Sequence, residues 1–301
     1  MNRTVNMNEE KEVKKENVTA PKMHVSEHKP KVRIGSGSAY LFVKDVVKSH
    51  GLHTICQSGN CPNISECWGN RTATFMILGD ICTRGCRFCS VITGKPAMPD
   101  PGEPAKLALS VQLMNLKTAV ITSVDRDDLE DCGASHWAAV IRKVKEVNPD
   151  TRLEVLIPDF SGKEELIDLV IAEKPDIISH NVETVRRLSA LVRPSASYQC
   201  SLSVLKYMSG RGVRTKSGIM TGLGETMQEL EETLLDIHET GCQIVTIGQY
   251  LQPDKNQLPV DKYYTDDEFY QLKTKAYEIG FKIVESGKLI RSSYHAENHH
   301  A

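Results

Sequence analysis

The sequence of 301 residues lacks several features that define whole classes of protein. It has no apolar run near the roughly 18 residues that a membrane-spanning helix needs. Its N-terminus is polar, unlike a secretory signal peptide. Net charge is also nearly absent, since 37 basic and 39 acidic side chains leave −2. A balanced charge gives no electrostatic footprint for a nucleic-acid backbone or an anionic membrane, so we expect neither nucleic acid nor a membrane as a partner.

A disulfide framework is not expected either. The nine cysteines are an odd number, and the chain is long enough to bury its own core. Without a visible signal peptide, such cysteines are better interpreted as metal ligands or reduced thiols. We therefore expect a reducing, cytoplasmic location.

The order of apolar and polar segments predicts one α/β scaffold. Residues 1–33 are rich in charge and lack a periodic apolar face, which predicts a disordered tail. Over residues 72–252, short apolar runs alternate with amphipathic segments, as in parallel β/α units. Six units are too few for a closed eight-stranded barrel. They predict a partial (β/α)6 TIM-type barrel or a doubly wound sheet, with ligands at the carboxyl ends of the strands. The six predicted strands span residues 75–79, 119–124, 153–157, 177–179, 217–220 and 244–247.

The sequence also predicts where three helices begin. A hydroxyl residue followed three positions later by glutamate is typical of a capping box, in which the two side chains satisfy free backbone N–H groups. This pattern predicts helices that begin at Ser161 with Glu164, Thr226 with Glu229, and Thr265 with Glu268.

Six of the nine cysteines fall between Cys56 and Cys89. They form an upstream set spaced C-x4-C-x5-C and a downstream set spaced C-x3-C-x2-C that follows the first predicted strand. Three thiolates around a four-iron cluster leave one iron open to a substrate or cofactor. The upstream set is Cys56, Cys61 and Cys67, and the downstream set is Cys82, Cys86 and Cys89.

Zinc is the alternative metal for a cysteine-rich segment. Structural zinc sites are closed tetrahedra that are typically built from C-x2-C pairs. Only Cys86 and Cys89 have that spacing. The spacings therefore favour iron–sulfur clusters over zinc.

The downstream set, within CTRGCRFC at residues 82–89, resembles the signature of the radical S-adenosylmethionine (SAM) superfamily. Over residues 50–296 the chain more narrowly resembles the lipoyl synthase family. The upstream set together with the RSSY ending is far more specific than the downstream set alone. The segments that carry this resemblance are CQSGNCPNISECW (56–68), TATFMILG (72–79), HNVETV (180–185), GLGE (222–225), IGQYLQP (247–253) and RSSYHA (291–296).

The resemblance implies an enzyme, a sulfurtransferase that inserts sulfur at carbons six and eight of an octanoyl group on a lysine of a lipoyl domain. Two 4Fe-4S clusters and SAM are the implied cofactors. The downstream set would hold the cluster whose open iron binds SAM, and cleavage of SAM would give a radical that removes hydrogen from an unactivated carbon. The upstream set would hold an auxiliary cluster, the sulfur source, with Ser293 rather than Ser292 as its fourth ligand.

The resemblance also implies a division of the chain and a set of partners. Residues 34–71 would form an N-terminal extension that carries the upstream set, residues 72–252 the radical SAM partial barrel, and residues 253–301 a C-terminal extension that carries Ser293. The implied partners are the octanoylated lipoyl domains of dihydrolipoyl acyltransferase subunits and of the glycine cleavage H protein, a flavodoxin or ferredoxin as reductant, and an iron–sulfur carrier.

Four further residues are candidates for SAM contacts. Asn181 and Glu183 follow the predicted strand 177–179, and Ser123 lies near the end of an earlier strand. Polar side chains at these strand ends are placed to contact a ligand. Phe88 is a candidate support for the adenine ring. The alternatives are helix capping for the polar residues and core packing for Phe88.

One departure from the family pattern concerns a loop. Where Asp-Gly-Gly-Ala is expected, this chain has Asp131-Cys132-Gly133-Ala134. Glycine adopts positive φ more easily than any other residue. The sequence leaves the geometry of this loop open.

Two other functions remain as alternatives. One is a different two-cluster enzyme that inserts sulfur into a small molecule or RNA. The other is a ferredoxin-like electron carrier or a zinc-stabilised interaction module. An open iron and a β/α scaffold count against a carrier, which needs no substrate cavity.

Overall fold

A computed structural model describes residues 37–59, 61–69, 73–294, 296 and 299. The tail predicted over residues 1–33 lies outside the described residues. Within the described part of the chain, no helix combines the length and the apolar character needed to cross a membrane.

The core is one sheet in which six parallel pairings join seven strands. The described residues form β1 (His53–Thr54), β2 (Thr74–Ile77), β3 (Ile81–Cys82), β4 (Ile92–Thr93), β5 (Thr118–Ser123), β6 (Arg152–Leu156), β7 (Ile177–Ser179), β8 (Thr215–Thr221), β9 (Ile244–Gln249) and β10 (Ile283–Gly287). All six strands predicted from apolar runs are present, as β2 and β5 to β9. The sheet order is β1-β2-β5-β6-β7-β8-β9-β10, while β3 and β4 form a separate pair.

Two strands of the sheet were not predicted. Strand β1 has two residues and pairs antiparallel with β2, so it gives no periodic signal. Strand β10 extends the parallel sheet beyond residue 252, and its sequence IVESG is too polar to be recognised as a buried run. The barrel sheet therefore continues into the segment that was predicted to be a C-terminal extension.

The described residues form the helices α1 (Ser38–Ser49), α2 (Ile55–Ser58), α3 (Ile64–Gly69), α4 (Glu103–Met114), α5 (Ala134–Val147), α6 (Glu164–Ala172), α7 (Arg186–Val192), α8 (Tyr198–Gly210), α9 (Met227–Glu239) and α10 (Asp266–Ile279). Helices connect the parallel strands, and successive helices from α4 to α6 and from α8 to α10 pack against one another along the outside of the sheet. The prediction of a partial parallel barrel is confirmed in this arrangement of strands and helices.

Two of the three predicted capping boxes are confirmed, those of α9 and α10. The predicted box at Ser161 and Glu164 is wrong. The Asp159 carboxylate accepts a hydrogen bond from the Ser161 N–H, which makes a short 3-10 turn before the helix. Helix α6 then begins at Glu164, and the preceding Lys163 gives no side-chain cap.

Alternation along the strands separates the two faces of the sheet. Residues of one parity point into the barrel and line a central cavity, whereas Phe75, Ile121 and Val155, of the other parity, belong to the hydrophobic core. Helices cover that outer face, so the strands are buried on both sides. The inward residues are Thr74 and Met76 of β2, Val120 and Thr122 of β5, Glu154 and Leu156 of β6, Gly218 and Met220 of β8, and Thr246 and Gly248 of β9.

Gly248 provides a test of how closely the C-terminal segment packs on the sheet. A methyl group at Gly248 would overlap the Ile290 carbonyl oxygen, which is backbone and has little room to move. We expect Gly248→Ala to destabilise the protein by about 1–3 kcal/mol, the usual cost of overpacking. Urea unfolding of the iron-free protein measures this change.

Gly287 supplies the matched control, because it is the register partner of Gly248 in β10. Among the described residues, a methyl group there meets only the Ile290 Cγ1 atom, at an ordinary 3.5 Å. Gly287→Ala should change stability by less than about 0.5 kcal/mol, as for other substitutions without a structural conflict. Equal effects of the two substitutions would contradict the close contact.

Candidate functional site

A cavity of about 660 Å³ opens at the carboxyl ends of the parallel strands. This is the edge at which the fold predicts ligands. Residues from both cysteine sets line it, together with Ser293 from the segment that follows β10. Cys67 is not part of the lining and lies half-buried on α3. The cysteines in the lining are Cys56, Cys61, Cys82, Cys86 and Cys89.

The downstream set follows β2: Cys82 ends the short strand β3, and Cys86 and Cys89 lie in the loop between β3 and β4. The Cys82 sulfur accepts hydrogen bonds from the backbone N–H groups of Arg84, at 3.4 Å, and Asp125, at 3.3 Å. Burial, reinforced by the nearby Asp125 charge, raises the pKa of Cys82 to about 11 and that of Cys86 to about 12. The protein alone therefore keeps these thiols protonated, and a bound metal would have to displace their protons.

Arg84, inside the downstream motif, ties this loop to two strand ends. Its guanidinium donates two hydrogen bonds to Asp127 at 2.8 and 2.7 Å, and two more to Asp159 at 2.9 and 2.8 Å. Asp125 lies 3.4 Å from the same guanidinium. We call Arg84 with these three aspartates the Arg84 clamp. It fixes the cysteine loop against the residues that follow β5 and β6.

Sequence reasoning missed the Arg84 clamp, although its members occupy informative positions. Arg84 lies between two motif cysteines, and the three aspartates follow predicted strands. Burial and the neighbouring carboxylates raise the pKa of Asp125 to about 6, although the positive charge of Arg84 opposes this shift. Such perturbed groups at strand ends are typical of functional sites.

The upstream set lies just before β2, with Cys56 on α2, Cys67 on α3 and Cys61 in the segment between these helices. Helix α2 packs against β1 and β2. Burial and the neighbouring Cys61 raise the pKa of Cys56 to about 11, while hydrogen bonds from Thr74 partly offset this. Burial also raises the pKa of Cys61, and the charge of Arg291 opposes that shift. Thr74 and Arg291 are therefore close enough to this set to stabilise thiolates electrostatically.

The C-terminal segment reaches the upstream set. The Thr74 hydroxyl donates to the Ser293 Oγ atom at 2.7 Å. On either side of Ser293, the segment is also tied to the α3 region, through a 2.7 Å bond from Asn63 to the Leu289 carbonyl and a 2.9 Å bond from Tyr294 to Glu66. These contacts place Ser293 beside the elements that carry the upstream set.

Ser292 faces a different neighbour. Its Oγ atom accepts a 2.7 Å hydrogen bond from the Asn181 Nδ2 atom, which also donates to Glu183 at 3.1 Å. The two adjacent serines thus contact different parts of the cavity wall. Of the two serines, Ser293 is the one that contacts Thr74, which also forms hydrogen bonds to Cys56 of the upstream set.

The candidates for SAM contacts all line the same cavity. Burial raises the pKa of Glu183, and its backbone has a positive φ of 70°. Ser123 accepts a 3.2 Å hydrogen bond from the Trp137 indole N–H, which fixes its hydroxyl. Phe88 is half-buried and packs against the hydrophobic core while it lines the cavity. The structure brings these residues together at the strand ends.

Asn181 has an oxygen that is left for a ligand. Among the described residues its buried Oδ1 atom has no hydrogen-bond partner. A methyl group at Gly218 would lie 2.9 Å from this oxygen and 2.8 Å from Thr246 Oγ1, so the glycine keeps the space between them open. A buried acceptor without a partner is costly. The cavity therefore has a free acceptor suited to a bound donor group.

The donor chemistry of the cavity fits iron–sulfur clusters. Soft thiolates are the ligands that such clusters take, and all nine cysteines are described and none is in a disulfide. Across the described part of the chain, no three His, Cys, Asp or Glu side chains converge on a single-ion site. Each thiolate of a cubane cluster binds a different iron, so its ligands are more widely separated than those of one ion.

Cys132, which stands where the sequence pattern led us to expect glycine, adopts a backbone conformation that glycine favours. Cys132 has a φ of +50°, and the next residue, Gly133, has a φ of +85°. The Cys132 N–H donates to the Leu129 carbonyl at 3.0 Å. A cysteine thus occupies the left-handed region here, and the cavity lining does not include it.

The Arg84 clamp leads to a stability prediction. Arg84→Met would leave Asp159, only 4% exposed, without its cation. Removing one partner of a buried ion pair costs about 3–5 kcal/mol. Urea unfolding of the iron-free variant should show a loss of this size.

The exposed pair of Arg142 and Glu173 is the control for that substitution, because the Arg142 side chain is 65% exposed. Arg142→Met should cost under about 1 kcal/mol, as is usual for surface pairs. A loss for Arg84→Met as small as that of the control would show that the clamp does not hold the cysteine loop.

Comparisons with known proteins find related sequences. A family model described as the Radical SAM superfamily matches residues 76–237. A lipoyl synthase of Phocaeicola vulgatus is 58% identical over 89% of this chain and 95% of its own length. A lipoyl synthase of Bacteroides thetaiotaomicron is also 58% identical, over the same shares of the two chains.

Solved structures share the fold at low sequence identity. Streptococcus suis SuiB bound to S-adenosylmethionine aligns with a TM-score of 0.56 at 9% identity, over 75% of this chain. The aligned part spans 54% of that solved chain. Methylornithine synthase aligns with a TM-score of 0.53 at 13% identity, over 81% of both chains. From these matches in sequence and fold, we conclude that the chain belongs to the lipoyl synthase family of the radical SAM superfamily.

Proposed function

We propose that this chain inserts sulfur at carbons six and eight of an octanoyl group carried on a lysine of a lipoyl domain. One observation carries the proposal: residues of both cysteine sets and Ser293 line a single cavity at the carboxyl ends of the strands. The bound clusters and SAM supply the abstraction of hydrogen from unactivated carbon and the sulfur atoms that replace it.

The downstream set, in this proposal, holds the cluster that binds SAM. The Arg84 clamp fixes the loop that carries Cys82, Cys86 and Cys89. The free Asn181 oxygen and the Glu183 carboxylate are placed to accept hydrogen bonds from the amino or ribose groups of SAM. Phe88 and Ser123 line the same cavity.

The upstream set with Ser293 holds the auxiliary cluster that donates sulfur. The hydrogen bond from Thr74 orients the Ser293 oxygen, and Thr74 also stabilises the Cys56 thiolate. A serine oxygen is a poor ligand for a soft iron–sulfur site. Such a ligand fits a cluster that must lose iron when its sulfur is consumed.

The cavity wall suits a fatty acyl chain between the two halves. Apolar side chains of Met76, Val120, Leu156 and Met220 line it, as is usual for sites that bury an apolar ligand. The octanoyl group supplies such a chain. Its lysine attachment would remain at the mouth of the cavity.

The proposed partners follow from the same reaction. The substrates are octanoylated lipoyl domains, including those of dihydrolipoyl acyltransferase subunits and the glycine cleavage H protein. A flavodoxin or ferredoxin would supply electrons, and an iron–sulfur carrier would rebuild the consumed cluster. Nine cysteines outside any disulfide suit a reducing cytoplasm.

A cysteine substitution separates the two halves of the reaction. We expect Cys61→Ala to abolish sulfur insertion into an octanoyl-lysine peptide but to leave reductive cleavage of SAM measurable. Mass spectrometry of the peptide and chromatography of 5'-deoxyadenosine report the two activities. After anaerobic reconstitution, iron should fall from about eight to about four per chain.

Cys242→Ala is the control, because Cys242 is buried outside the cavity. It should retain about eight irons and eight sulfides, as two four-iron clusters require. Loss of both activities in Cys61→Ala would show that the two clusters are not independent. About four irons in the native protein, or zinc in their place, would remove the sulfur donor from the proposal.

The adjacent serines provide a matched pair for the fourth ligand. We expect Ser293→Ala to lower sulfur insertion at least about tenfold while SAM cleavage continues, because the auxiliary cluster loses an oxygen ligand. Ser292→Ala removes a similar hydroxyl that faces Asn181 instead. The assignment of Ser293 fails if Ser292→Ala is the variant that selectively loses sulfur insertion.

A further inference from the structure

A fully buried ion pair lies inside the barrel, and the reaction proposed above does not use it. The Lys216 Nζ atom of β8 is 2.6 Å from the Glu154 Oε1 atom of β6, with side-chain exposures of 0% and 1%. The Ser179 hydroxyl also donates to Glu154, at 3.0 Å. Burial disfavours the Glu154 carboxylate, but the Lys216 charge together with contacts from Lys216 and His299 outweighs this and lowers the pKa of Glu154 to about 2.

The Lys216 ammonium points two of its three N–H groups toward the C-terminal part of the chain. It donates to the Ser292 backbone carbonyl and, at 3.0 Å, to the His299 Nδ1 atom. The third donor is used by Glu154. An ammonium group has three donors, so this cation is saturated, and most of its contacts are to the segment that follows β10.

The bond from Lys216 differs in kind from the hydrogen bonds that the two serine hydroxyls of this segment make. Thr74 and Asn181 contact the hydroxyls of Ser293 and Ser292 through neutral hydrogen bonds. The bond to the Ser292 carbonyl comes from a charged donor whose side chain is fully buried, and charged hydrogen bonds are the stronger class. It is also a bond to backbone, so it fixes the path of the chain one residue before Ser293.

A buried ion pair is a poor choice for stability alone. Apolar side chains of similar volume are often as stabilising or more so, because desolvation of the two charges offsets their attraction. A pair that fixes one arrangement of the chain has a reason to be charged. Here the arrangement that it fixes is the return of the C-terminal segment to the cavity.

We propose that Lys216, held by Glu154, is a positioning residue that anchors the Ser292 carbonyl and thereby sets Ser293 beside Thr74 and the upstream cysteine set. The part of this inference that concerns a cluster ligand rests on the proposed function of Ser293. The anchoring itself does not, since it is a property of the iron-free chain.

The variant that tests the anchor is the double substitution Glu154→Leu with Lys216→Met. Lys216→Met alone leaves a buried carboxylate without its cation and is expected to impair folding. The double variant removes both charges together, so we expect it to unfold cooperatively with a Tm near that of the native protein. Glu103→Gln is the control, because Glu103 is buried, contacts His136 at 2.6 Å and does not line the cavity.

Hydrogen exchange of the full-length, iron-free protein provides the first readout. In the double variant we expect the backbone amides of residues 289–294 to exchange at least about tenfold faster, because local opening of this segment is no longer opposed. Amides of β9 should be unchanged, and Glu103→Gln should exchange like the native protein over residues 289–294. Native exchange rates at residues 289–294 in the double variant would overturn the anchoring role.

Iron content after anaerobic reconstitution provides the second readout. The double variant should fall from about eight irons toward about four per chain while it still cleaves SAM. Faster exchange with all eight irons retained would overturn the positioning of a cluster ligand. If Ser293→Ala also kept its iron and its sulfur insertion, the assignment of Ser293 would fail, whereas the exchange result would still decide whether Lys216 anchors the segment.

Discussion

Parallel pairing is the constraint on which this site depends. Seven strands run in one direction, so the loops after their carboxyl ends all meet at one edge of the sheet. The downstream cysteine set follows β2 there, and Asn181 and Glu183 follow β7. The upstream set and Ser293 come from outside the strands, one before the barrel and one after β10. The cavity lies where the segment that carries the upstream set and the segment after β10 both reach that edge.

Two buried cations secure the parts of the site that the strands alone do not fix. Arg84 joins the downstream cysteine loop to the aspartates after β5 and β6. Lys216 joins the C-terminal segment to the barrel interior. Each cation connects a loop of functional residues to a strand or strand end, where side-chain positions are better defined than on loops. In this account, the two cluster sites have separate supports, which suits one cluster that persists and one that is consumed.

The features that the sequence predicts are those that depend on residues close together along the chain. Apolar runs predict six strands because buried parallel strands are continuously apolar, and cysteine spacing identifies the two sets. The box at Ser161 failed because Asp159 holds the Ser161 N–H in a turn, a competitor that spacing does not reveal. Lys216 was missed because its partners Glu154 and Ser292 lie 62 and 76 residues away. Its role emerges only after folding.

Anomalous diffraction at the iron absorption edge, from crystals of the anaerobically reconstituted protein, would locate both clusters and their ligands. We expect two separate four-iron clusters that face one cavity, one held by the downstream set and one by the upstream set with the Ser293 oxygen. An auxiliary cluster ligated without Ser293, a single cluster, or zinc at either cysteine set would contradict this expectation.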